Sequence, residues 1–390
     1  MRPVYLDHNA TTPLAPVARA AMEPYLEGQY GNPLTAHRFG ASPRAAVDSA
    51  RDEIASMLGA SLAECEVVFG SGGTEALNHA VKGLAFRTLT DGRAGAKRRI
   101  VIGAIEHYAV TKSAQWLAER FGFEVVEVNP GRDGVVPIEA FVEHLDGSAT
   151  ALAALQWANN EVGSLQPVRE VGRVCREMGI PLVCDAVQAA GKLDLTGALG
   201  AADAFAFSAH KLYGPKGVGA LVLRKGLEPD TLLHGASQEG GHRGGTHNVA
   251  GIVGFAAAAR AARQTLAQES ARLCGLRDLL WAQIHEEMDG VAWNGQGSQT
   301  LPNTLNVSFD GCPSQRMCDE MDRRGFAVSA GAACLTGDPR PSRTILAMGH
   351  SQSRGLTSIR VSLGHETTRH DIVAAAAAFA EAARRVRGSL

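Results

Sequence analysis

Seven lysines stand against 31 arginines in this 390-residue chain. Where arginine is the habitual cation, a lysine draws notice for its amine. Lys211 lies in Phe207-Ser208-Ala209-His210-Lys211-Leu212-Tyr213-Gly214-Pro215-Lys216-Gly217, where an apolar run from Asp203 to Phe207 delivers it to a glycine-containing turn. An amine there can form a Schiff base with an aldehyde, as a guanidinium cannot. Ser208 and His210 could donate to a phosphate. The same residues also describe an ordinary turn with a solvated lysine. Upstream, Asp185 directly follows the apolar run Leu182-Val183-Cys184. A carboxylate at that point could hold a pyridine nitrogen protonated and make the ring an electron sink. Gln188, three residues on, could reach a ring oxygen. Equally, an aspartate there could cap the start of a helix.

Gly70-Ser71-Gly72-Gly73-Thr74-Glu75 is a glycine-rich turn between an apolar run and a helical pattern. Backbone amides at such a helix start cradle anions, and Thr74 adds a hydroxyl. The turn lacks the lysine of a Walker A loop and the G-x-G-x-x-G spacing, which argues against a nucleotide. His107 follows another apolar run. Its imidazole could lie over a flat ring and move protons near neutral pH, or could simply be a loop histidine. Each signal is weak alone. Together they are an amine, a carboxylate, a phosphate cradle and an imidazole, all at the ends of apolar runs. These are the parts that pyridoxal 5′-phosphate needs.

The elements that must position them follow from the pattern. Cys65 to Phe69, Ile100 to Ile102, Glu124 to Val128, Ala151 to Leu155, Leu182 to Cys184, Ala204 to Phe207 and Val218 to Leu223 read as strands. Thr74 to Phe86, Val110 to Phe121 and Val168 to Met178 read as helices. This alternation predicts an α/β fold, a mostly parallel sheet with helices on both faces. Ligands bind outside the carboxyl ends of such strands. Asn248 to Met288 reads as one or two long helices leaving the sheet. Beyond it, strands at Thr304 to Phe309 and Thr357 to Leu363, with helices at Cys318 to Arg324 and Asp371 to Arg387, predict a smaller α+β domain. The expected division is 15–255 for the large domain, with 1–14 and 256–390 forming the small one.

Composition narrows the class. Hydrophobic residues make up 45% and charged residues 20%, so the chain is an ordinary globular one. A formal net charge of −2 lacks the basic excess of a nucleic-acid binder. No apolar run reaches the ~18 residues of a membrane span. The N-terminus has polar groups too early for a secretory signal, and the expected location is cytoplasmic. Seven cysteines, odd in number and without a C-x-x-C pair, suggest neither a disulfide framework nor a metal site. Cys65, Cys175 and Cys184 lie in element patterns and read as core, Cys274 lies in a helix, and Cys312 and Cys318 read as partly exposed. Cys334 differs, because Gly331, Gly337, Pro339 and Pro341 place it in a polar loop, 330–342.

From Tyr5-Leu-Asp-His-Asn-Ala-Thr-Thr-Pro13 nearly to the C-terminus, the chain resembles the cysteine desulfurases of the nitrogen-fixation and iron–sulfur-assembly type, which are class V, fold-type I pyridoxal-phosphate enzymes. The segments that carry the likeness are Gly31-Asn-Pro33 with His37, Ser71-Gly-Gly-Thr-Glu75, Glu106-His107, Asn159-Asn-Glu-Val-Gly163, Asp185-Ala-Val-Gln188, Ser208-Ala-His-Lys211 with Gly214-Pro-Lys-Gly217, Arg243-Gly-Gly-Thr246, Ser329-Ala-Gly-Ala-Ala-Cys334 and Arg360-Val-Ser-Leu-Gly364.

The resemblance implies roles residue by residue. Lys211 would carry the cofactor, and His107 would stack on its ring and assist proton transfer. Asp185 would pair with the ring nitrogen and Gln188 with the ring hydroxyl oxygen. Gly73, Thr74, Ser208 and His210 would hold the phosphate. Thr246 would reach the phosphate of a neighbouring subunit, implying a homodimer. Asn160 and Arg360 would contact the amino-acid substrate. Cys334 would take sulfur from L-cysteine as a persulfide, leaving L-alanine, and pass it to an acceptor protein such as an iron–sulfur scaffold or thiolation protein. A selenocysteine or broader C–S lyase, a class V aminotransferase and an inactive partner-binding subunit share much of this machinery. His365 stands where the family commonly has arginine.

Overall fold

The computed structural model describes residues 2–90, 97–330 and 340–388. The chain opens with β1 (Val4–Tyr5), α1 (Pro16–Leu26) and α2 (Arg38–Ser56). Strands and helices then alternate as β2 (Cys65–Gly70), α3 (Gly73–Thr90), β3 (Arg99–Gly103), α4 (Tyr108–Phe121), β4 (Glu124–Val128), α5 (Ile138–Val142), β5 (Thr150–Ala154), α6 (Val168–Glu177), β6 (Leu182–Asp185), β7 (Ala204–Ser208) and β8 (Gly219–Arg224). A long helix, α7 (Val249–Glu287), leads to β9 (Val291–Trp293), β10 (Thr304–Phe309), α8 (Ser314–Arg323), β11 (Phe326–Ala327), α9 (Arg343–Ala347), α10 (Gln352–Leu356), β12 (Ser358–Ser362) and α11 (Arg369–Gly388).

The main sheet has seven strands in the order β2-β8-β7-β6-β5-β3-β4. β4, β3, β5, β6 and β7 run parallel, while β8 is antiparallel to both β7 and β2. The central strands are apolar on both faces because both are covered. In β7, Phe205 and Phe207 pack on one face of the sheet while Ala204 and Ala206 pack on the other. On α6, Val168, Val171, Gly172 and Cys175 are buried, the spacing of one helical face. Topology thus brings the ends of β3, β6 and β7, with the turn after β2, to one side of the sheet.

A second core joins β10 and β12 to α11 and the distal half of α7, through Leu305, Val307, Ile359, Val361, Phe379 and Leu280. α7 is one helix, contributing Phe255 and Ala259 to the first core and Leu280 and Ile284 to the second. α11 buries Ile372, Ala375, Ala376 and Phe379. It is therefore a packed helix with one solvent face. Cys312 is fully buried, which corrects the expected partial exposure. It follows Phe309 in a turn folded beneath α11, with its sulfur near the Ala383 carbonyl. Among the described residues no helix is long and apolar enough to cross a membrane.

The N-terminal segment ties the two cores together. β1 pairs with β11, and Asp7 bridges to Ser362. The chain then crosses to the main sheet, where Thr12 N–H donates to the His210 carbonyl at 3.0 Å and Ala15 N–H to the Tyr213 carbonyl at 2.9 Å.

Candidate active site

The ends of these strands, the glycine turn and the N-terminal segment enclose a cavity of about 520 Å³. It is lined by Gly73, Thr74, His107, Asn160, Asp185, Gln188, Ser208, His210, Lys211 and Arg360. All of these were expected at the site from sequence. Thr246 does not line it; it is exposed on its own chain, in a segment held to the glycine turn by Arg243, whose Nε donates to Glu75 Oε1 at 2.9 Å. Cys334 lies outside the described residues.

Lys211 stands at the end of β7. Its Nζ donates to the backbone carbonyls of Asn9 and Ala10, both at 2.7 Å. Burial, together with the Arg360 charge, pulls its ammonium from 10.5 down to about 8, against the opposing pull of Asp185 and Asp7. That leaves a large neutral fraction at mildly alkaline pH, as an amine nucleophile needs.

Asp185 closes β6, and burial pushes its carboxyl above the usual carboxylate range, with the His107 and Lys211 charges opposing. Oδ1 accepts from Val187 N–H at 2.9 Å, so the residue both caps a turn and faces the cavity. His107 is double in the same way. It is the N-cap of α4, and its Nδ1 accepts from Ala109 N–H at 3.1 Å. The neutral ring therefore carries its proton on Nε2.

The glycine turn depends on missing side chains. Gly72 has φ of 155°, and a Cβ on Gly219 would stand 2.6 Å from the Gly72 backbone. A Cβ on residue 73 is already crowded by Val187 at 2.7 Å. The amides at the start of α3 are thus open toward Ser208, which is buried beside them. His210 Nδ1 pairs with Thr11 Oγ1 at 3.0 Å, and burial lowers its ring to about 4, so it is neutral.

Arg360, on β12, is buried. Its NH2 donates to Asp7 Oδ1 at 2.6 Å and its NH1 to the Asn160 carbonyl at 3.0 Å, while Nε has no partner. A buried guanidinium with an unspent N–H suits an incoming carboxylate. The set as a whole fits pyridoxal phosphate. It offers an amine of lowered basicity, a buried carboxylate for a ring nitrogen, and a glycine cradle at a helix start for a phosphate.

Sequence reasoning missed the wall formed by Asn9, Ala10 and Thr11, as well as Gln156 and Lys216. The Tyr5–Pro13 motif was the only signal for that wall. It also missed Glu106, which is buried. Its Oε1 accepts from Gln156 N–H at 2.6 Å, and its Oε2 has no partner.

Comparison with known proteins agrees with this geometry. The family model described as aminotransferase class-V matches residues 4–374. A cysteine desulfurase IscS of Dictyoglomus turgidum is 38% identical over 371 residues, 95% of this chain and 92% of that protein. An IscS-like cysteine desulfurase of Mycobacterium tuberculosis is 39% identical over 98% of this chain and 97% of its own length. A solved NifS-like protein superposes with a TM-score of 0.88 at 33% identity, covering 97% of this chain and 98% of its own. The chain belongs to the class-V aminotransferase family and, within it, to the cysteine desulfurases, which depend on pyridoxal phosphate.

Proposed function

We propose that this cysteine desulfurase converts L-cysteine to L-alanine and leaves the sulfur on Cys334 as a persulfide for an acceptor protein. The observation that carries the reading is the placement of Lys211, of lowered basicity, with Asp185 and the partly unspent Arg360 around one cavity. Bound pyridoxal phosphate would supply an electron sink that loosens bonds at the substrate's α-carbon.

The chain's residues do the rest. Lys211 would tether the cofactor, and Asp185 would hold the ring nitrogen's proton. Gln188 would donate to the ring oxygen, and Gly73, Thr74, Ser208 and His210 would hold the phosphate. Arg360 and Asn160 would fix the substrate, with Arg360 gripping its carboxylate. His107 would stack on the ring and give and take a proton at Nε2. The Cys334 thiolate would form a sulfur–sulfur bond as the substrate's carbon–sulfur bond breaks. The bonding pair stays on carbon, which takes a proton and leaves as the methyl group of alanine.

Five of the other six cysteines support this choice by their inertness. Burial raises Cys65 to about 11 and Cys175 to about 12, pushes Cys184 well up, and raises Cys274 and Cys312 as well. None of these is an activated nucleophile. Exposed Thr246 is read as reaching the phosphate of a second copy, so the working unit is a homodimer in the cytoplasm. We read the chain as 15–255 for the large domain with 1–14 and 256–390 as the small one; the separate cores favour a two-part division, with the first turns of α7 after 255 still packed in the large domain's core.

The test is Cys334→Ser. The variant should keep the cofactor's visible absorbance yet lose alanine formation, and wild type treated with L-cysteine should gain about 32 Da, one sulfur, at Cys334. Wild-type desulfuration by the variant would remove the persulfide from the reading. Activity surviving only toward selenocysteine would favour a lyase.

A further inference from the structure

Lys192 is a partly buried lysine that the reading above leaves without a task. It follows the turn after β6 and lies on the wall of the cavity of about 950 Å³ between residues 191–196 and α7. It also lines a narrow space that reaches Lys211 and holds His8, Tyr213, Glu269 and His365. Among the described residues no carboxylate lies within 4.0 Å of its Nζ, and the nearby charges of Lys211 and Arg360 are like its own. His8 and His210 feel the same cation. On the large-cavity side the charged neighbours are Arg263, Arg277 and Asp194. Burial, with the like charges of Lys211 and Arg360, pulls its ammonium from 10.5 down to about 7; linking Lys211 to the cofactor removes one of those charges and favours the ammonium again.

Its hydrogen bonds show a role. Nζ donates to the Gln188 backbone carbonyl at 3.1 Å and to Gln188 Oε1 at 3.0 Å. On the other side of that amide, Gln188 Nε2 donates to the Asn9 carbonyl at 2.9 Å. Both partners of Nζ are carbonyl oxygens, which only accept, so Nζ donates to each as ammonium or as amine, and with the Asn9 carbonyl on its other side the amide has one preferred orientation. Its NH2 group has a second hydrogen, and Gln188 lines the cofactor cavity.

We infer that Lys192 is a positioning residue that locks Gln188 as a hydrogen-bond donor toward the cofactor's anionic ring oxygen, and adds its own positive charge to that side of the pocket. This rests on the reading of Gln188 as a ring-oxygen ligand. Without Lys192, Oε1 loses its donor and only the Asn9 carbonyl still orients the amide, so its second N–H is held less firmly toward the ring oxygen.

The test uses the full-length protein loaded with pyridoxal phosphate, comparing wild type with Lys192→Met, Lys192→Gln and Lys192→Arg. Loss of the cation and of the locked donor both favour the protonated form of the lysine-linked cofactor. The pH midpoint of the visible absorbance band should therefore rise in Lys192→Met by about one unit, the scale of one nearby charge. Affinity of the stripped protein for pyridoxal phosphate should fall about tenfold. Lys192→Arg should stay near wild type. Lys192→Gln keeps a donor without the charge, and should hold affinity better than Lys192→Met while still shifting the midpoint. It also serves as the readable variant if Lys192→Met does not fold. A wild-type midpoint and affinity in folded Lys192→Met, or in folded Lys192→Gln where the former is lost, would overturn the inference. Failure of wild type itself to bind the cofactor would instead overturn the reading of the pocket.

Discussion

At the scale of single residues, the site works by removing water from charged groups. In the cofactor-free protein, Lys211 loses its proton near pH 8, whereas the unfolded chain holds it to about 10.5. Stability of that form should rise as pH climbs from about 8 toward 10.5, because the unfolded state then binds the extra proton. Capture of pyridoxal phosphate by the stripped protein should accelerate with pH and level off above about 8, which stopped-flow absorbance can follow. Glu106 has the opposite sign. Burial raises its carboxyl from 4.5 to about 8, with the Asp185 charge adding to the rise. Folded protein keeps a proton there that the unfolded chain loses, so stability falls as pH rises from about 4.5 to about 8, each unit being worth about 1.4 kcal/mol. Glu106→Gln should flatten that dependence in urea titrations while retaining the cofactor. An equally steep slope in the variant would mean that Glu106 is ionised in the native protein. Lys211, Asp185 and His107 were legible in the sequence because each follows an apolar run. Glu106 was not, since adjacency to His107 says nothing about which of the two points inward.

At the scale of elements, the cradle depends on how near two backbones come. Gly219 opens β8 against Gly72, and its missing Cβ would also stand 2.5 Å from the Phe207 carbonyl. Gly219→Ala should displace the turn and weaken pyridoxal-phosphate binding about tenfold or more, ~1.4 kcal/mol, in a fluorescence titration. The main strands were readable because a buried parallel sheet writes itself as apolar runs. α1 and α2 received no assignment: α1 contains Pro24, and α2 contains Gly40 and Pro43, residues that read as breakers. β1 and β11 are two residues each, too short for any period to show. The N-terminal wall of the site rests on β1, so it was invisible to pattern reasoning for the same reason.

At the scale of the whole molecule, α7 is a single rod of 39 residues, about 58 Å long at 1.5 Å per residue, rooted in both cores. Gln268 lies exposed near its middle. Gln268→Pro should cost about 3 kcal/mol locally and split one thermal transition into two in calorimetry, as each core loses its shared strut. A single, merely lowered transition would show that the N-terminal crossing suffices to couple them. That crossing has a consequence for how the enzyme is made. Asp7 and Arg360 pair at 2.6 Å although 353 positions separate them. A ribosome must therefore add all 353 of those positions after Asp7 before that residue can meet its partner. Until then Asn9 and Ala10 have no finished wall to form, and the site cannot be completed before β12 has left the ribosome.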